Sequence, residues 1–288
     1  MAYALVNGTR LAWQQMGGGP DLVMVHGLAA SRAFWFAHAL TLQQHFRVTL
    51  FDLPGHGYSD RPASGYDCLS MARSLLGLMD QLDIADALLV GHSYGGGASI
   101  EAAVMAPQRV NGLALFDVRS NRIQPTMHMN DMNHFTSFEQ EVASDDRVDW
   151  ANEHQAGIRF LEIAARHRVE GRTSKAGDPI IPFAEGRGAL KAAKQWLALL
   201  DDTDARSGFD QVGASLEALA QLQMPSMLMY ADHSRCLPSG TALHRLWPLS
   251  TLTVLDNAGH FFPLTHAGEV TQSLVAWATE QLPVRAAS

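Results

Sequence analysis

The strongest constraint on this chain is a five-residue turn, Gly91-His92-Ser93-Tyr94-Gly95, set between the apolar run 87–90 and a helical pattern over 95–106. A strand that bends abruptly into a helix forces strained backbone at the central residue, and only residues without side chains fit two positions to either side. Gly91 and Gly95 supply that room, so the Ser93 hydroxyl is expected to stand clear of a sheet. The backbone N–H of Tyr94, at a helix N-terminus, then points toward the same space.

The rest of the chain agrees with a strand-turn-helix unit repeated. Asn7-Gly8 between the short runs 3–6 and 9–15 is a hairpin signal, because both turn positions take positive φ. After Gly17-Gly18-Gly19-Pro20, apolar runs at 22–25, 48–51, 87–90 and 110–116 alternate with helical patterns at 31–42, 69–82 and 95–106. Such alternation predicts an α/β protein with a mostly parallel twisted sheet flanked by helices. It stops after Phe116 and resumes near Pro225, with strands at 226–230 and 252–255 and helices at 241–247 and 264–281.

The interval between reads as an inserted helical cap, residues 119–212, leaving 1–118 and 213–288 as the core domain. Within it, 150–168 and 189–200 carry apolar residues at helical spacing, separated by the Gly/Pro-rich stretch 177–188. A cap over the C-terminal edge of the sheet would enclose a pocket where open α/β sheets bind ligands.

Composition narrows the function classes. The 288 residues are 47% apolar with a net charge of −8, and no basic run is present to follow a phosphate backbone or an anionic bilayer. A small-molecule substrate is expected, with neither nucleic acid nor membrane as partner. A start without a basic, apolar leader implies a cytoplasmic location. Cys68 and Cys236 are too few for a disulfide framework or a thiolate metal site and read as buried small apolar residues; no metal or cofactor is implied.

A neutral serine needs a base, and of the 13 histidines His260 is singled out by position, in Gly259-His260-Phe261 directly after the last strand. Together, His26-Gly27 after an early strand, Asp52-Leu53-Pro54-Gly55-His56-Gly57-Tyr58-Ser59-Asp60, Gly91-His92-Ser93-Tyr94-Gly95 and Gly259-His260-Phe261 resemble the α/β-hydrolase superfamily over nearly the whole chain except the cap. The resemblance implies Ser93 as nucleophile, His260 as general base, and the N–H groups of Leu28 and Tyr94 as an oxyanion hole. His26, His128, His134 and Phe261 are expected at the substrate pocket. Met127, Met129, Met132, Phe135, Phe138, Trp150, Phe183 and Trp196 either line that pocket or pack the cap.

The acid of the triad departs from the commonest family pattern, Gly-x-x-Asp-x-x-x-Pro after the penultimate strand. Here the aligned segment is Ala231-Asp232-His233-Ser234, so the acid's place falls on Ser234 and Asp232 stands two residues early. A two-residue shift along a strand moves a side chain by about 6–7 Å, too far for a hydrogen bond unless the loop compensates. Asp117, closing the strand after the nucleophile helix, is the preferred acid, similar in position to that of haloalkane dehalogenases and of cofactor-independent dioxygenases that open quinolone rings. Asp232 is the alternative.

These residues imply a serine hydrolase that cleaves an ester or thioester of a small, largely apolar substrate through an acyl-enzyme. Dehalogenase chemistry is disfavoured, because it needs a carboxylate nucleophile and Leu28 offers no halide donor. Three alternatives stay open: a cofactor-independent dioxygenase in which Ser93 only positions a heteroaromatic ring, a carbon–carbon bond hydrolase, and a ligand sensor on the hydrolase scaffold.

Overall fold

The computed structural model describes residues 1–131, 135–172, 183 and 188–281. Eight strands form one sheet: β1 (Ala2–Val6), β2 (Thr9–Met16), β3 (Asp21–Val25), β4 (Arg47–Phe51), β5 (Ala87–His92), β6 (Val110–Phe116), β7 (Ser226–His233) and β8 (Ser250–Gly259). The helices are α1 (Phe36–Leu42), α2 (Cys68–Gln81), α3 (Tyr94–Met105), α4 (Ser137–Ala143), α5 (Ala156–Val169), α6 (Ala189–Asp202), α7 (Ala205–Phe209), α8 (Leu216–Ala220), α9 (Leu237–Leu246), α10 (Phe262–Thr265) and α11 (Ala267–Gln281).

The strand order is β1-β2-β4-β3-β5-β6-β7-β8. Strand β2 runs antiparallel to both neighbours, and β3 to β8 are parallel. The β1–β2 hairpin turns on Asn7 and Gly8, both with positive φ (50° and 80°), as the Asn-Gly signal requires.

The sheet is buried on both faces, and strand alternation divides the core. Val23, Val25, Leu89, Leu113 and Leu115 pack on the side of α2 and α3. Leu22, Met24, Leu88, Val90, Ala114 and Phe116 face the other way, toward the buried faces of α1 and α11. Every residue of β5 is buried, so the strand that carries the elbow cannot shift without disturbing both halves of the core.

Helices α4 to α8 lie between β6 and β7; α4 to α7 fall within the interval 119–212 expected to be helical, and α8 (Leu216–Ala220) follows it. Several boundaries differ from the sequence pattern, two of them at helices near the site. Helix α5 begins at Ala156 rather than near Trp150, since residues 128–131 and 144–155 run as turns and short extended stretches around the bridge of Met127 to Gln155. The last helix breaks at His266, where α10 ends and α11 starts. The Gly/Pro-rich stretch 177–188 lies, apart from Phe183 and Gly188, outside the described residues.

Two helices of this interval, α5 and α7, are tied together by one buried acid. Glu162 of α5 accepts from Arg159 and Arg166 on its own helix, at 2.5 and 2.8 Å, and from Arg206 of α7 at 2.7 and 3.0 Å. Burial works against its carboxylate, but Arg206 and Arg166 outweigh it and hold the group down to about 2. No helix among the described residues is long and apolar enough to cross a membrane.

Candidate active site

All the residues singled out for chemistry stand at C-terminal ends of parallel strands, where α/β sheets leave a crevice. Ser93 follows β5 with φ 53° and ψ −125°, a backbone conformation that ordinary residues avoid. A side chain on Gly91 would approach the Gly96 Cα to 2.4 Å, and one on Gly95 would meet the carbonyl oxygens of Val25 and His26 at 2.4 Å. The two glycines are therefore a steric condition of the turn, and the helix behind it begins at Tyr94.

His260 leaves the end of β8 and reaches back over the elbow. Its Nε2 lies 3.0 Å from Ser93 Oγ, and its Nδ1 lies 2.6 Å from Asp117 Oδ2. Asp117, fully buried with φ 52°, closes β6. Its Oδ1 accepts the Ala231 N–H at 3.2 Å, and the Ser234 hydroxyl donates to Oδ2. Ser234 thus stands where the commoner family pattern would put the acid, and it serves the displaced acid as a donor.

Asp232 takes no part in this chain of hydrogen bonds. It accepts the backbone N–H groups of Asn257 and Ala258 at 2.9 and 3.0 Å, and so ties β7 to the segment that delivers His260. His92, the elbow's second residue, supports the same segment by donating from Nε2 to the His260 carbonyl at 2.9 Å. Burial, helped by the neighbouring His260, pushes His92 well below its usual range, which keeps it neutral.

The backbone on the other side of Ser93 is equally constrained. Tyr94 is the first residue of α3, so its N–H has no partner inside the helix. Across from it, His26 receives the Leu53 N–H on Nε2 at 3.1 Å and donates from Nδ1 to the Gly27 carbonyl at 2.8 Å. Because a peptide's C=O and N–H point in opposite directions, holding the Gly27 carbonyl on His26 turns the Leu28 N–H away from His26.

A cavity of about 450 Å³ opens over Ser93, lined by Leu28, Ser93, Tyr94, His260 and Phe261 together with Met127, Phe138, Phe160 and Leu161 from the interval between β6 and β7. Phe261, expected at the pocket, is there. His26 and His128 are corrections: His26 is fully buried with both ring nitrogens engaged in the scaffold, and His128 packs edge-on against His154 at 5.0 Å. Neither is among the residues lining the cavity. His134, like Met132, lies outside the described residues. Trp196 is buried and stacked on Phe209 at 5.7 Å, a packing role.

Several residues the sequence did not single out line the same cavity: Glu101, Arg119, Arg122, Arg235 and both cysteines. Arg119 and Arg122 follow Asp117 closely in the chain, the only hint of their position. Cys236 is more than packing, since one atom each of Asp117, Cys236 and His260 lie within 4.8 Å of one another, a set of metal-ligating types. Its nitrogen and oxygen members are already hydrogen-bonded to each other at 2.6 Å.

A hydrogen-bonded Ser–His–Asp chain of this kind can move a proton from a hydroxyl to an imidazole. The alpha/beta hydrolase fold family profile matches residues 20–267. An uncharacterized protein of Mycobacterium tuberculosis is 36% identical over 279 residues, covering 91% of this chain and 76% of that protein. The pimeloyl-[acyl-carrier protein] methyl ester esterase of Serratia marcescens is 28% identical over 278 residues, covering 93% and 98%. Among solved structures, the enol-lactonase from Burkholderia xenovorans LB400 superposes with a TM-score of 0.66 at 21% identity, covering 96% of this chain and 100% of that one, a likeness of fold. With the profile spanning the sheet from β3 to β8 and a relative of this identity along nearly the whole chain, the protein belongs to the α/β-hydrolase fold family.

Proposed function

We propose that the protein is a serine hydrolase acting on an ester or thioester of a small, largely apolar substrate. The observation that carries this reading is the continuous contact from Ser93 Oγ through both nitrogens of His260 to the buried Asp117 carboxylate. Ser93 attacks the carbonyl carbon as His260 takes its proton; Asp117 holds the ring in the tautomer that accepts at Nε2 and stabilises the imidazolium. The N–H groups of Leu28 and Tyr94 receive the developing oxyanion, each such donor contributing about 3 to 4 kcal/mol. His260 then protonates the leaving group, and water activated by the same ring frees the acyl-enzyme. The Serratia relative, an esterase by name, supports this choice of substrate bond.

An active-site fluorophosphonate tests the reading, with a single adduct expected on the peptide bearing Ser93 and none after Ser93→Ala. An unlabelled Ser93 together with oxygen uptake on a hydroxyquinolone would instead support the dioxygenase alternative.

The pH dependence provides a second test. Burial works against a charged His260, but the hydrogen bond to Asp117, with Cys236 beside the ring, outweighs it and holds the imidazole above its ordinary 6.5. Only the neutral ring accepts the Ser93 proton, so activity is lost as pH falls through this raised value. The acid limb of kcat/KM is expected above 6.5, and Asp117→Asn, which removes the principal raising partner, is expected to move it down. A wild-type limb below 6.5 contradicts the raised value of His260 and the hold of Asp117 on it.

A further inference from the structure

The cavity extends well beyond the reacting atoms, and its floor is one face of α3. Counting from Ser93, residues four, seven and eight positions on (Gly97, Ile100 and Glu101) all line it, as helical spacing requires. At the rise of an α-helix, Glu101 lies about 12 Å along the axis from Ser93. Gly97 is held small, because a side chain there would come to 3.0 Å from Cys68 Sγ. Ile100, Phe209 and Leu219 make the groove apolar.

Glu101 is out of character with these walls. It is only 7% exposed, yet no ion pair reaches it among the described residues, whereas buried carboxylates are ordinarily paired. Its Oε1 accepts the Ala214 N–H at 2.7 Å, and Oε2 has no hydrogen-bond partner among the described residues. Arg122, the nearby cation, directs its Nε and Nη2 to the carbonyls of Ala214 and Gly213 at 3.0 and 3.1 Å. Burial, with Asp67 adding to it, pushes the Glu101 carboxyl up despite the Ala214 N–H and Arg122.

We infer that Glu101 recognises a hydroxyl group at the far end of a substrate chain of about six to ten carbons whose carbonyl carbon sits at Ser93. The inference rests on the serine-hydrolase reading for the position of that carbonyl. A hydroxyl donates to Oε2 whether or not the carboxyl is ionised. An ammonium would meet Arg119 and Arg122, which line the same cavity, and a carboxylate would meet Glu101 itself.

The test compares p-nitrophenyl 8-hydroxyoctanoate with p-nitrophenyl octanoate, flanked by the six- and ten-carbon pairs. For the best-fitting length, kcat/KM is expected to favour the hydroxy ester by about tenfold, the size of one buried hydrogen bond. Glu101→Leu is expected to reverse that ranking, and Glu101→Gln to keep part of it, since its amide oxygen takes the Ala214 N–H and its NH2 group donates to the oxygen of the substrate hydroxyl. A merely structural Glu101 would lower both esters alike. The inference is overturned if the wild-type protein shows no preference at any length, or if Glu101→Leu retains it.

Binding of methyl 8-hydroxyoctanoate and methyl octanoate to Ser93→Ala, measured by calorimetry, separates the two readings and does not depend on Glu101→Leu folding. The same preference in binding, without turnover by the wild-type protein, removes the hydrolase reading alone. Turnover and binding without the preference remove the role of Glu101 alone.

Discussion

Replacing Ser93 by alanine is expected to lower kcat on a p-nitrophenyl ester by about 10⁴- to 10⁶-fold, with the residual rate coming from the oxyanion donors and substrate positioning. The size follows from the arrangement at the elbow. No other described hydroxyl makes a hydrogen bond to His260 Nε2, and the strained turn holds this one at 3.0 Å. The change removes only an oxygen from a partly exposed side chain, so stability is expected to move little and the loss to appear in kcat rather than in melting temperature. A dioxygenase in which Ser93 only positions its substrate would keep far more of its rate. Pre-steady-state kinetics decide the matter: a burst of p-nitrophenol is expected from the wild-type protein, and a Ser93→Ala variant within about tenfold of it would sink the acyl-enzyme reading.

Asp117→Asn is expected to cost about 10⁴-fold in kcat/KM, and Asp232→Asn much less. An amide at 117 presents an N–H to His260 Nδ1 or leaves it with a poorer acceptor, so the ring favours the tautomer that carries its proton on Nε2 and cannot accept from Ser93. It also leaves the Ser234 hydroxyl and the Ala231 N–H, both now bonded to Asp117, competing for one carbonyl oxygen. Asp232 accepts the backbone N–H groups of Asn257 and Ala258, with the His233 ring 3.7 Å away, and asparagine can still accept one of those N–H groups. Its loss is expected to loosen the segment carrying His260, with a reduction of about tenfold and a lower melting temperature. A larger kcat loss at 232 than at 117 would reverse the assignment of the acid.

Much of the scaffold was readable in advance, for a local reason. A hairpin needs two positive-φ residues, and Asn7-Gly8 provides them; a strand-to-helix elbow needs glycines two positions either side, and Gly91 and Gly95 stand there. Period-two and period-3.6 apolar patterns located the strands and most helices because each element must present its apolar residues to one core. The preference for Asp117 over Asp232 comes from the family resemblance, which implies two places for the acid, with the distance a strand advances per residue counting against Asp232.

What the chain order could not reveal depends on packing between distant segments. His26 and His128 were expected at the pocket, and only the fold shows the first engaged with Gly27 and Leu53 and the second edge-on against His154, while His260 faces Ser93. The company of Asp117 likewise comes from two other strands, through Ala231, Ser234 and His260. Glu101 offers the plainest case. An acid in the middle of a small-residue helix carries no signal of its surroundings, because its neighbour Ala214 arrives from 113 positions away. Sequence determined the sheet, the elbow and the serine on it, since these follow from steric rules acting within a few residues. Tertiary structure alone decided which polar groups meet at the cavity and how deeply each is buried, since burial and electrostatic coupling are set by the whole of the surrounding volume.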